Sequence, residues 1–127
     1  MSHEIELLRK FSFDSAHSLP NVPEDHKCRR LHGHTFHVEV RVTGPMGETT
    51  GWVMDFADLK KVVNPVMEEL DHRYLNEIAG LENPTSEHIA VWIWNRIEGN
   101  LPGLSAVTVH ETCNTGCTYR GSASEEA

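Results

Sequence analysis

Cys28-Arg29-Arg30-Leu31-His32-Gly33-His34-Thr35-Phe36-His37-Val38-Glu39-Val40-Arg41-Val42-Thr43 is the stretch that decides how this chain folds. From His32 onward every second residue runs His32, His34, Phe36, Val38, Val40, Val42, while Thr35, His37, Glu39 and Arg41 fill the positions between. Alternation of that length predicts a strand with one apolar face. Successive strand side chains point to opposite faces, so His32 and His34 share the apolar face with Cα atoms roughly 7 Å apart. Two imidazoles at that spacing can converge on one metal ion. Gly33 is poor strand material, but it lets a ligand or another backbone come close. His37 falls on the opposite face and reads as a polar surface residue.

Upstream, Ile5 to His17 predicts a partner strand with Phe11, Phe13, Ser15 and His17 on one face, so His17 projects at the end of a mostly apolar row. Three neutral imidazoles with an open fourth position describe a catalytic zinc site. The connecting loop holds Pro20, Pro23 and the charged run Glu24 to Arg30, which contains Cys28.

Downstream, Gly44-Pro45-Met46-Gly47 breaks the strand, and Asp55 caps a helix expected to run to about Asp71. Phe56, Leu59, Val62, Val63, Val66, Met67 and Leu70 recur at helical spacing. Pro65 should interrupt or kink that helix, at a cost of about 3 kcal/mol. Thr85 caps a second helix that turns Ile89, Trp92, Ile93 and Ile97 inward, with Trp92 and Trp94 read as packing residues. Strands follow over Leu104 to Thr112 and Gly116 to Arg120, joined by a turn at Asn114-Thr115-Gly116 between Cys113 and Cys117. The order ββααββ predicts one α+β domain over residues 1–121, an antiparallel sheet with both helices on one face. Its other face is then wet or covered by a partner subunit. Ser122 to Ala127 reads as a disordered polar tail.

A chain of 127 residues suits a single domain. The net charge of −8 opposes binding to nucleic acid or to an anionic membrane. No apolar run approaches the roughly eighteen residues of a membrane span, and Met1-Ser2-His3-Glu4 lacks a signal-peptide pattern, so a cytoplasmic location is expected. Three cysteines, an odd number, argue for reduced thiols and leave Cys28 free for chemistry. A zinc hydrolase is disfavoured because no HExxH arrangement accompanies the histidines.

Four motifs in order carry a family resemblance: FDSAH at Phe13 to His17, CxxxHGH at Cys28 to His34, LDH at Leu70 to His72, and HET at His110 to Thr112. From about Leu8 to Gly121 the chain resembles the 6-pyruvoyltetrahydropterin synthase family, built on the tunnelling fold. The resemblance implies a Zn2+ lyase acting on 7,8-dihydroneopterin triphosphate, with the metal on His17, His32 and His34. Cys28 would be the base, its thiol acidified by the metal or by Arg29 and Arg30. Asp71 and His72 would form a proton relay, and Glu111 would accept from the pterin's amino group and ring nitrogen and share in the relay. Lys27, Arg29 and Arg30 are the nearest cations for the triphosphate.

The short gap between Cys28 and His32 resembles the carboxy-forming branch of queuosine and deazapurine pathways. That branch releases triphosphate and acetaldehyde and leaves 6-carboxytetrahydropterin. The alternative is the pyruvoyl-forming branch, which stops at triphosphate elimination. A noncatalytic zinc-binding module would use the histidines but has no need of Cys28, His72 or Glu111. The family assembly, a homohexamer made as a dimer of trimers, is the expected oligomer.

Overall fold

The computed structural model describes residues 3–122, so the expected tail lies, beyond Ser122, outside the described residues. Strands β1 (Glu4–His17) and β2 (His32–Pro45) are followed by helices α1 (Phe56–Leu70) and α2 (Ser86–Ile97), then by strands β3 (Leu104–Thr112) and β4 (Thr115–Tyr119). The strands form one antiparallel sheet in the order β1-β2-β3-β4. This is the expected α+β arrangement.

Register follows from burial. Phe13 lies opposite Phe36, and Val38 and Val40 lie opposite Val109 and Val107. Directly opposed residues share a face, so these side chains form one apolar sheet, with Phe36, Val38 and Val40 fully buried. Onto it α1 presents Leu59, Val63, Val66, Met67 and Leu70, and α2 presents Ile89, Ala90, Ile93 and Ile97. Fully burying a valine, leucine, isoleucine or methionine of this set contributes about 1.5–3 kcal/mol. Both helices begin at their expected caps. Asp55 accepts from the Ala57 N–H at 2.9 Å, and Thr85 accepts from the His88 N–H at 3.1 Å.

Among the described residues no helix covers the opposite face. It carries a charged chain that crosses three strands: Arg41 reaches Glu6 at 3.4 Å and Glu39 at 2.8 Å, and Glu39 accepts from His110 at 3.0 Å. Burial alone would raise the Glu39 carboxyl, but its hydrogen bonds to His110 and Arg41 outweigh burial and hold it low.

Two expectations are corrected. α1 runs without a break through Pro65, whose ring lies on the exposed side of the helix. Its missing N–H deprives the Lys61 carbonyl of a partner, and Lys61 is exposed too, so water can serve that oxygen. The β3–β4 turn is Cys113-Asn114, since Thr112 already pairs with Thr115. Gly116 lies within β4 instead. A Cβ there would come within 2.7 Å of His110 Nδ1, so glycine makes room for that ring.

After α1 the chain turns back along the outer edge of β1. Ala16 N–H donates to the Arg73 carbonyl at 2.9 Å, Ala16 bridges Tyr74, and Ser18 N–H donates to Asn76 Oδ1 at 3.0 Å. The end of β1 that carries His17 is thereby covered, while its first half remains an open edge. Among the described residues no helix is long and apolar enough to cross a membrane.

Because the Pro65 ring faces solvent, Pro65→Ala should restore the bond to Lys61 and stabilise the fold by about 1–3 kcal/mol. Urea unfolding measures it. A lower midpoint would mean that the restricted unfolded chain of the proline form outweighs the missing bond.

Candidate active site

The β1–β2 ladder sets His17 directly opposite His32 and Ser15 opposite His34. All three imidazoles therefore rise from one face at one end of the sheet, over a floor made by Phe36, whose ring centre lies 4.1 Å from that of His34. Their ligand atoms all lie within 4.8 Å of one another. His17 Nε2 and His34 Nε2 are 3.3 Å apart, which matches the edge of a tetrahedron with metal–nitrogen bonds of about 2.0–2.1 Å.

Backbone carbonyls choose the tautomers. His17 Nδ1 lies 2.9 Å from the Pro84 carbonyl and His32 Nδ1 lies 2.8 Å from the Arg30 carbonyl. A carbonyl can only accept, so each Nδ1 carries the hydrogen and each Nε2 keeps its lone pair for a metal. Burial pushes the His17 imidazole below its ordinary value, outweighing the Pro84 bond, and the neighbouring His32 and His34 push the same way. Neutral imidazole is the form a metal needs. On donor set and spacing the three histidines fit a divalent metal.

Glu111 borders the cluster, with Oε2 3.9 Å from His34 Nε2. It sits where the β3–β4 pairing shifts register between His110 and Thr112. Ser86, buried in the first turn of α2, donates its hydroxyl to Glu111 Oε1 at 2.6 Å. One short segment thus serves two site groups, the Pro84 carbonyl orienting His17 and the Ser86 hydroxyl orienting Glu111. Sequence reading missed both roles. Proline and serine beside a capping threonine are ordinary at a helix start, and nothing local announces partners 67 and 25 residues away.

Cys28 lies in a single 3₁₀ turn, Lys27–Arg29, where its N–H donates to His26 Nδ1 at 3.1 Å. Its carbonyl accepts from the Leu19 N–H at 2.8 Å, which ties the loop back to the chain just past His17. The thiol is half-buried and does not join the converging ligand atoms. All three cysteines are free, as the odd count suggested. Of the loop cations, Arg29 donates to the Val22 carbonyl at 2.9 Å, which occupies it in holding the loop.

Asp71 and His72 do meet. His72 Nδ1 lies 2.7 Å from Asp71 Oδ2, while Asp71 Oδ1 accepts the Asp14 N–H at 2.8 Å. That backbone bond, followed by the one from His72, holds the Asp71 carboxyl below its usual range, and Asp71 in turn raises the His72 imidazole. His72 has φ of 56°, in the left-handed region. A non-glycine residue there costs of order 1–3 kcal/mol and persists only where its surroundings dictate it. Here its N–H donates to the Asp14 carbonyl at 2.6 Å. Among the described residues no hydrogen bond links Cys28 to this pair within one chain.

The arrangement offers a three-nitrogen metal cradle, an adjacent oriented carboxylate, a thiol on a tethered loop and a polarised imidazole on the strand edge. Comparisons with known proteins agree with it. The chain is 46% identical over 119 residues to the 6-carboxy-5,6,7,8-tetrahydropterin synthase of Synechocystis, covering 89% of this chain and 91% of that protein. It is also 50% identical over 97 residues to the dihydroneopterin monophosphate aldolase of Pyrococcus furiosus, covering 76% and 78%. The fold superposes on the 6-pyruvoyl tetrahydropterin synthase of Caenorhabditis elegans with a TM-score of 0.88 and 28% identity, over 95% of this chain and 98% of that one. The family model described as 6-pyruvoyl tetrahydropterin synthase matches residues 6–122, and this chain belongs to that family.

Proposed function

We propose that this chain is a pterin lyase of the carboxy-forming kind, converting 7,8-dihydroneopterin triphosphate and water to 6-carboxytetrahydropterin, acetaldehyde and triphosphate. The observation that carries the reading is the convergence of His17, His32 and His34 beside the oriented carboxylate of Glu111. The branch is supported by the Synechocystis relative and by the three residues between Cys28 and His32. Zinc is the metal we assign, since three imidazoles suit it. We place the reaction in the cytoplasm and its product in queuosine or another deazapurine pathway.

A metal held by these histidines supplies Lewis acidity to the oxygens of the substrate side chain. The chain's own residues do the rest. Glu111, pinned by Ser86 through one oxygen, accepts the paired donors of the pterin edge. Cys28 removes the proton from the side-chain carbon, a task for the thiolate. His72, oriented by Asp71, gives and takes the proton that balances each step.

That no hydrogen bond joins Cys28 to Asp71 or His72 among the described residues supports a site completed between subunits. The open half-edge of β1 and the charged, helix-free face support a ring of sheets. We infer the hexamer, a dimer of trimers, on that basis. Light scattering should give about six chain masses for the active species, and a stable active monomer would overturn it.

A second reading has specific support in the Pyrococcus relative, an aldolase by name. An aldolase on this scaffold would break the same bond, between the first two side-chain carbons, but without expelling phosphate. Product analysis separates the readings. The carboxy-forming reaction yields acetaldehyde and triphosphate in equal amounts. The pyruvoyl-forming reaction yields triphosphate and no aldehyde, and the aldolase yields a phosphorylated two-carbon aldehyde and no free triphosphate. Either of the last two patterns replaces the assignment.

The site residues make their own prediction. His32→Ala and His34→Ala should lose most bound metal while the fold persists, whereas Cys28→Ala should keep its metal and turn over at least about a hundredfold more slowly. Metal analysis with steady-state rates checks both. Full occupancy in the histidine variants, or metal loss on removing the thiol, would refute the ligand set.

A further inference from the structure

Within Phe13-Asp14-Ser15-Ala16-His17, His17 serves the imidazole cluster, and Ser15 bonds the Leu70 carbonyl and the Arg73 N–H. Asp14 has no part in the chemistry above. Yet it is engaged through its amide, its carbonyl and its side chain. Its N–H donates to Asp71 Oδ1 at 2.8 Å, its carbonyl accepts from the His72 N–H at 2.6 Å, and its Oδ1 accepts from the Thr35 hydroxyl.

The ladder explains the pattern. Asp14 lies directly opposite Thr35, and its N–H and C=O turn outward, away from β2 and toward the 71–72 segment. In antiparallel strands such pairs stand closest side chain to side chain, which lets a short threonine reach an aspartate. Both Asp14 and Thr35 project from the helix-free face. They line an open hollow with Gly33, His72 and Arg73.

We propose that Asp14, tethered by Thr35, is a positioning residue for the reaction: its peptide group seats His72 and its carboxylate stands beside the imidazole as a second negative charge. The inference rests on the reading that Asp71 and His72 move the proton. The charged groups around His72 are Asp71 on its own segment and Asp14 on β1, with Arg73, its sequence neighbour, lining the same hollow. Asp71 acts most strongly, by hydrogen bond and charge, and Asp14 adds charge alone.

The tether has a purpose. The Thr35 hydroxyl holds Oδ1 and so fixes how the Asp14 carboxylate is turned, while Nδ1 of His72 is already taken by Asp71. Nε2 makes no hydrogen bond among the described residues and points its proton at whatever enters the hollow. Two carboxylates favour the imidazolium form of His72, and in that form it gives the Nε2 proton to a substrate oxygen and recovers one from solvent.

The test uses metal-loaded protein labelled with nitrogen-15 in histidine, with the His72 signal assigned by its loss in His72→Asn. Asp14→Asn should keep its metal and its KM, lose turnover roughly tenfold, a fraction of a full general acid–base effect of about 10²–10⁴, and move the His72 titration to lower pH. Thr35→Val should slow turnover similarly and Thr35→Ser should restore it. The Asp14→Asn/Thr35→Val double variant should be no slower than Asp14→Asn, because both changes act through one carboxylate.

An unmoved His72 titration in Asp14→Asn, or losses that multiply in the double variant, would overturn the proposal even with His72→Asn inactive. If instead His72→Asn turns over normally, the relay reading itself fails and takes the catalytic role of Asp14 with it. Should Asp14→Asn fold poorly, the contrast between Thr35→Val and Thr35→Ser still decides.

Discussion

Everything at the site depends on the register between β1 and β2. Pairing His17 with His32 and Ser15 with His34 puts three imidazoles on one face, and pairing Phe13 with Phe36 puts the apolar floor beneath them. A slip of one residue would turn every side chain of one strand to the other face, burying Glu39 and Arg41 and exposing Phe36, Val38 and Val40. The core therefore enforces the metal cradle. No separate device is needed to bring the histidines together, because the same alternation that buries the valines aims the ligands.

A second layer of control comes from backbone groups. The Pro84 and Arg30 carbonyls select tautomers for His17 and His32, and the peptide of Asp14 seats both Asp71 and His72. Backbone is well suited to this. Its position is set by secondary structure, while a side chain doing the same work would have rotamer freedom to lose. Ser86, a side chain in a comparable role, is buried in the first turn of a helix and so nearly as fixed.

The sequence was legible where periodicity or capping chemistry is local. The alternation from His32 to Val42, the caps Asp55 and Thr85, and the convergence of His17, His32 and His34 are all where pattern reading puts them. It was less legible where a local rule met a tertiary exception. Pro65 breaks an isolated helix, but with its ring in water and α1 packed along one side, the helix carries on. Gly116 looks like a turn glycine and is a packing glycine, because only the fold shows the His110 ring against it. Asp71 and His72 could be read as neighbours, but the peptide that clamps them, 57 residues earlier, could not.

The bond from His17 to the Pro84 carbonyl also sets an order of events. The three imidazoles are all synthesised by residue 34, but the group that assigns the proton of His17 arrives only with residue 84, at the threshold of α2. The imidazoles can therefore be gathered before the lone pair of His17 is assigned to Nε2. A correctly poised donor set is a property of the finished domain, complete only when the segment leading into the second helix has docked.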